Sequence, residues 1–83
     1  MFDRKGPAAN PVNYNEWAQT LAASGAFVEV DATKILLPDA LSIVKSVPSS
    51  ATGMRVLFFN CGNIPWDLRL VATQGGARVG FRL

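Results

Sequence analysis

The chain contains no histidine and a single cysteine, Cys61. Without histidine, Ser-His-Asp triads, Cys-His pairs and His-ligated zinc are all excluded. One thiol cannot form an intramolecular disulfide, and it fits a reducing, cytoplasmic setting. Cys61 has no base beside it in sequence, and Asn60-Cys61-Gly62 reads as a turn, so a structural thiol is expected rather than a nucleophile. Long apolar runs are also missing. Ile35-Leu36-Leu37 and Val56-Leu57-Phe58-Phe59 are the longest, far short of the roughly 18 residues that a membrane span needs.

Charge is scarce as well. Only 17% of residues are charged while 49% are hydrophobic, against roughly 25% charged in an average domain. A chain this short buries only about 60–65% of its unfolded surface. Too little charge to cover a small globule leaves apolar surface over, and self-association is the commonest way to bury it, most often as a two-fold dimer. A homo-oligomer is therefore expected.

Residues 1–12 hold Asp3, Arg4, Lys5, Gly6, Pro7 and Pro11 and lack the apolar core of a signal peptide. They read as a flexible N-terminal arm, with a single α+β domain from residue 13 to 83. Asn13 is placed to cap a helix, with Glu16 three residues on. Tyr14, Trp17, Ala18 and Leu21 then share one helical stripe, and Gly25 stands where a helix would stop. Alternation in Ala26–Asp31 marks a strand with Val28 and Val30 facing inward.

Thr33–Leu37 is ambiguous between strand and loop. Pro38 and Asp39 then open a second helix. Its core face is Ala40, Leu41, Ile43, Val44 and Val47, and Pro48 closes it. Residues 49–53 form a loop. Met54–Asn60 has apolar residues on both faces and reads as a central strand.

The last segment decides the sheet. Leu68–Ala72 and Ala77–Leu83 flank Gly75-Gly76, a pair suited to the positive φ values of a two-residue hairpin turn. This predicts Leu68, Leu70, Ala72, Val79, Phe81 and Leu83 on one face, with Arg69 opposite Arg82 and Arg78 opposite Thr73 on the other. The expected fold is then α+β in the order α-β-α-β-β-β. Two helices pack on one face of an antiparallel sheet of about four strands, ending in a three-strand meander.

Residues 54–83 carry Arg55, Arg69, Arg78 and Arg82 against one acid, Asp67. On the expected hairpin Arg69, Arg78 and Arg82 line an open sheet face, which Arg55 joins if Arg55, Leu57 and Phe59 point outward together; Trp66 is a further candidate contact. Guanidinium groups suit bidentate recognition of carboxylate or phosphate, and arginine mixed with aromatic residues is typical of interface hot spots.

No cofactor or metal is expected. Glu29 and Asp31, with Asp39 or Asp67, are oxygen ligands of the kind Mg²⁺ uses, but acids two apart also occur on ordinary solvated strand faces. The glycine pair is not followed by the helix that a phosphate loop requires. The leading expectation is a non-catalytic adaptor or inhibitor-type protein, self-associating and meeting an acidic protein surface through the arginine face. The alternative is a nucleic-acid-binding module with the arginines on phosphates and Phe59 or Trp66 on bases.

Overall fold

Three helices alternate with three short strands in the computed structural model, which describes residues 13–83. Helix α1 spans Tyr14–Ala23, β1 Val28–Asp31, α2 Leu37–Ser46, β2 Val56–Phe59, α3 Leu68–Gly75 and β3 Val79–Phe81. The arm expected over residues 1–12 lies outside the described residues.

Local chemistry sets most of these boundaries. The N–H of Gly25 donates to the Ala22 carbonyl at 3.0 Å and that of Ala26 to Leu21 at 3.3 Å, with Gly25 at φ 89°. This is a Schellman closure, and a residue with no Cβ occupies its left-handed position without strain. Asn13 stands at the N-cap position of α1, but its side chain makes no capping hydrogen bond, and the Trp17 N–H that donates to its carbonyl at 2.9 Å is the first bond of the helix itself. Residues 32–36 form a 3₁₀ turn over Ala32–Lys34 and an extended link to α2, which begins at Leu37. There Asp39 reaches back to the Leu36 N–H at 3.1 Å, answering one of the free donors at a helix start.

The sheet corrects the expected architecture. Its order is β1-β2-β3 with both pairs parallel, not an antiparallel meander. Among the described residues there are three strands rather than four, and three helices rather than two. The predicted hairpin does not exist, because Leu68–Gly75 is helix α3. Asp67 caps it by accepting from the Arg69 N–H at 3.0 Å. Val71 and Gly75, four residues apart, are buried, whereas Leu70 is half exposed. The apolar period here is helical, not alternating.

Gly76, at φ 58°, ends the helix rather than turning a hairpin. With a helix between β2 and β3, the chain returns to the same end of the sheet, and the strands run parallel. The mixture of helix and strand, and the central place of residues 56–59, hold.

Parallel register stacks Val28, Val56 and Val79 in one row and Val30, Phe58 and Phe81 in the next. These rows face the helix layer, in which α2 lies between α1 and α3. Phe58 meets Trp66 edge-on at 5.5 Å and stacks with Phe81 at 6.0 Å. Phe58, Ile43, Val30, Val56 and Val71 are fully buried, each worth about 1.5–3 kcal/mol of transfer free energy. Gly75 lets α3 approach this core closely: a Cβ there would lie 2.6 Å from Val79 Cγ1 and 2.9 Å from Val44 Cγ1.

Candidate functional site

Because strand side chains alternate, the rows between those core rows point away from the helices. Glu29, Leu57 and Gly80 stand side by side in one of them, and Asp31 pairs with Phe59 in the next. Arg82 extends that second row. Its N–H donates to the Phe58 carbonyl at 2.8 Å, and its own carbonyl accepts from Cys61 N–H at 3.1 Å. No described helix packs on this side. Leu57 and Phe59 are half-buried, and Glu29 and Arg82 are exposed.

The composition of this face follows from the central strand. Leu57 and Phe59 form an apolar strip along its middle, and Met54 lies over Gly80, its sulfur filling the place a Cβ at that glycine would take. A side chain at position 80 would displace Met54, so the glycine keeps the strip flat and apolar. Arg82 closes over the strip from the β3 side. Its guanidinium sits 5.6 Å from the Phe59 ring centre and 3.7 Å from the Glu29 carboxylate. Acids therefore occupy the β1 side, apolar groups the middle, and a cation the β3 side.

A polar cluster seals the edge of β1 near its end. The Asp31 N–H donates to the Tyr14 hydroxyl at 2.8 Å. The Asp31 carboxylate accepts from the Thr33 hydroxyl at 2.6 Å, the Thr33 N–H at 3.0 Å and the Asn60 amide at 3.2 Å. The Thr33 hydroxyl, with the Asn60 amide, the Thr33 N–H and the Lys34 charge, holds the Asp31 carboxyl below its ordinary pKa. Every donor here is explained by strand and turn geometry. The described residues contain no group of three or more potential metal ligands among His, Cys, Asp and Glu.

The four arginines do not share one face, which corrects the expected patch. Arg69 is on α3 and pairs with Asp67 at 3.2 Å through its Nε; that hydrogen bond lowers the Asp67 pKa and raises that of Arg69. Arg82 lies over the open sheet face. Arg55 and Arg78 meet at the opposite end of the sheet, where the Arg55 N–H donates to the Arg78 carbonyl at 2.7 Å. Arg78 Nε donates to the Ala51 carbonyl at 3.3 Å, beside a shallow depression that Thr52, Thr73 and Gln74 help line. The end of α3 also lies at this depression, and the negative pole of its dipole disfavours an anion there and suits Arg78.

Of the expected aromatic contacts, Phe59 is on the open face and Trp66 is not, since Trp66 is buried against Phe58. Cys61 is buried too, and its thiol donates to the Phe58 carbonyl at 3.3 Å. Burial raises its pKa, which works against a thiolate nucleophile. Met54 and Glu29 belong to the face and were not foreseen there. The parity of residues 55, 57 and 59 was the available signal, but the partner strand had been misplaced.

Comparison of the chain with protein-family models, with characterised proteins and with solved structures gives no match. No helix among the described residues is long and apolar enough to cross a membrane.

Proposed function

We propose that this protein is a non-catalytic interaction module that self-associates through the open face of its sheet. One observation carries the reading: among the described residues, a purely parallel sheet has helices on one side only. Parallel sheets occur almost exclusively with both faces covered, because their crossover helices pack on the faces. Here the second side presents Leu57, Phe59 and Met54, the last 45% exposed. The low charge of the whole chain supports the same conclusion, since the surface has few groups with which to keep such a strip solvated.

Other exposed apolar residues compete less well for this role. Trp17, Phe27, Leu36, Leu70 and Leu83 belong to α1, the approach to β1, the link before α2, α3 and the residues after β3. Singly scattered apolar groups of that kind are ordinary surface. The arginines support an acidic partner or nucleic acid less well than the sequence implied, because Arg82 and Arg69 are matched by Glu29 and Asp67 within the chain. Arg55 and Arg78 alone make a small footprint for a phosphate backbone.

Hydroxyl-radical footprinting across a concentration series tests the reading. Met54 and Phe59 should lose reactivity as the protein is concentrated, while Trp17 and Leu70 stay reactive. Equal reactivity of Met54 and Phe59 at every concentration would overturn it.

A further inference from the structure

We infer that the partner on the open face is a second copy of this chain, related by a two-fold axis along the central strand, with Glu29 of each copy facing Arg82 of the other. This rests on the reading above and adds a specific arrangement to it. The argument is charge complementarity. Across the face the columns run acid on β1, apolar on β2 and cation on β3, given by Glu29, then Leu57 and Phe59, then Arg82.

Two such faces can be apposed by a two-fold axis in either of two principal directions. An axis across the strands lays β1 on β1, so Glu29 meets Glu29 and Arg82 meets Arg82. An axis along β2 lays β1 on β3, so acid meets cation twice and the apolar strip meets itself. Like charges held together in an interface repel and disfavour the complex, which selects the axis along β2. Isologous contact of this kind uses one patch on both copies and closes at the dimer. Aligned sheets pack about 10 Å apart with their strands nearly parallel, a spacing the central strips can fill.

Within one chain the Glu29–Arg82 pair is long, 3.7 Å, and its side chains are 49% and 58% exposed. An exposed pair of this kind contributes little on its own, so exchanging the same partners between two copies costs little. Gly80 has a place in this arrangement. It lies in the Glu29–Leu57 row on the β3 side and leaves room for the incoming β1 of the partner.

Thiol crosslinking, read together with mass in solution, tests the arrangement. Leu57→Cys sits on the proposed axis and should be joined to its own copy by a short thiol-reactive crosslinker; Phe59→Cys serves if that variant fails to fold. Glu29→Cys should not self-join, because two β1 strands lie on opposite sides of the axis, roughly 10 Å apart by strand spacing alone. The parent chain, with only the buried Cys61, is the control. Glu29→Arg and Arg82→Glu should each shift the mass toward the monomer, and mixing the two should restore the dimer. A dimer in which Glu29→Cys self-joins and Leu57→Cys does not would overturn this arrangement and leave the self-associating face standing. A monomer under all conditions would overturn both.

Discussion

Arg82, just past the end of the third strand, crosses the central strand to reach Glu29 on the first, 3.7 Å away. On the way its guanidinium lies over Phe59. Both side chains are about half exposed, so solvent screens the pair and its net worth to folding is below about 1 kcal/mol. Arg82→Ala should therefore change unfolding free energy by less than that amount in urea titration. A much larger loss would mean that the pair is a structural element rather than a surface feature.

Gly75 offers a sharper stability test. Gly→Ala inside a helix ordinarily gains up to about 1 kcal/mol of propensity. Here the new methyl would lie under 3 Å from Val79 and Val44, two stiff β-branched residues that cannot swing aside. Overpacking of this kind costs about 1–3 kcal/mol, so the clash should win. Gly75→Ala should unfold at lower denaturant than the parent; a higher midpoint would show that α3 stands further from the sheet than described.

Tyr14→Phe removes the hydroxyl that accepts the Asp31 N–H at the edge of β1. The contact joins the start of α1 to the end of the first strand, so its loss should lower stability by about 0.5–1.5 kcal/mol. Hydrogen exchange at Asp31 should quicken at the same time. Unchanged exchange at that amide would count against the bond.

Acid should weaken the fold through Asp31 and Asp67. Both carboxyls have folded pKa values below the ordinary 3.8, Asp31 through the Thr33 hydroxyl and Asp67 through Arg69. A depressed carboxyl contributes stability that is complete above its unfolded pKa and lost as pH falls through the folded one. Melting temperature should therefore drop on acidification below about pH 5, and Asp31→Asn should flatten that drop. An identical acid profile for Asp31→Asn and the parent would show that the Thr33 contacts do not form in solution.

Most of residues 13–60 was legible because its signals are local. Gly25, the Pro38-Asp39 start and the Val28/Val30 alternation each fix one boundary through neighbouring residues. The final third was not, because Leu68–Ala72 satisfies two periods at once: Leu68, Leu70 and Ala72 alternate, while Leu68, Val71 and Gly75 repeat as a helix. Gly75-Gly76 likewise serves a hairpin tip or a helix end. What decides between them is the packing of Gly75 against Val44 and Val79, a contact between distant residues that no local pattern displays.

Asp67 was a usable cue, since it caps α3. The error then propagated, because turning one helix into a strand converts a crossover into a hairpin and reverses the sheet. The open face was half visible. Phe59 and Arg82 were placed on it, but Arg69, Arg78 and Trp66 were grouped with them through the misread strand.

The mass of the full chain in solution, measured by light scattering on a size-exclusion column, tests the central claim most directly. The parent should run as a dimer, at twice its 8.9 kDa, and a Phe59→Asp variant with an unchanged circular dichroism spectrum should run as a monomer. A parent that stays monomeric at every concentration, or a dimer that Phe59→Asp leaves intact, would contradict the assignment of the open sheet face as the contact surface.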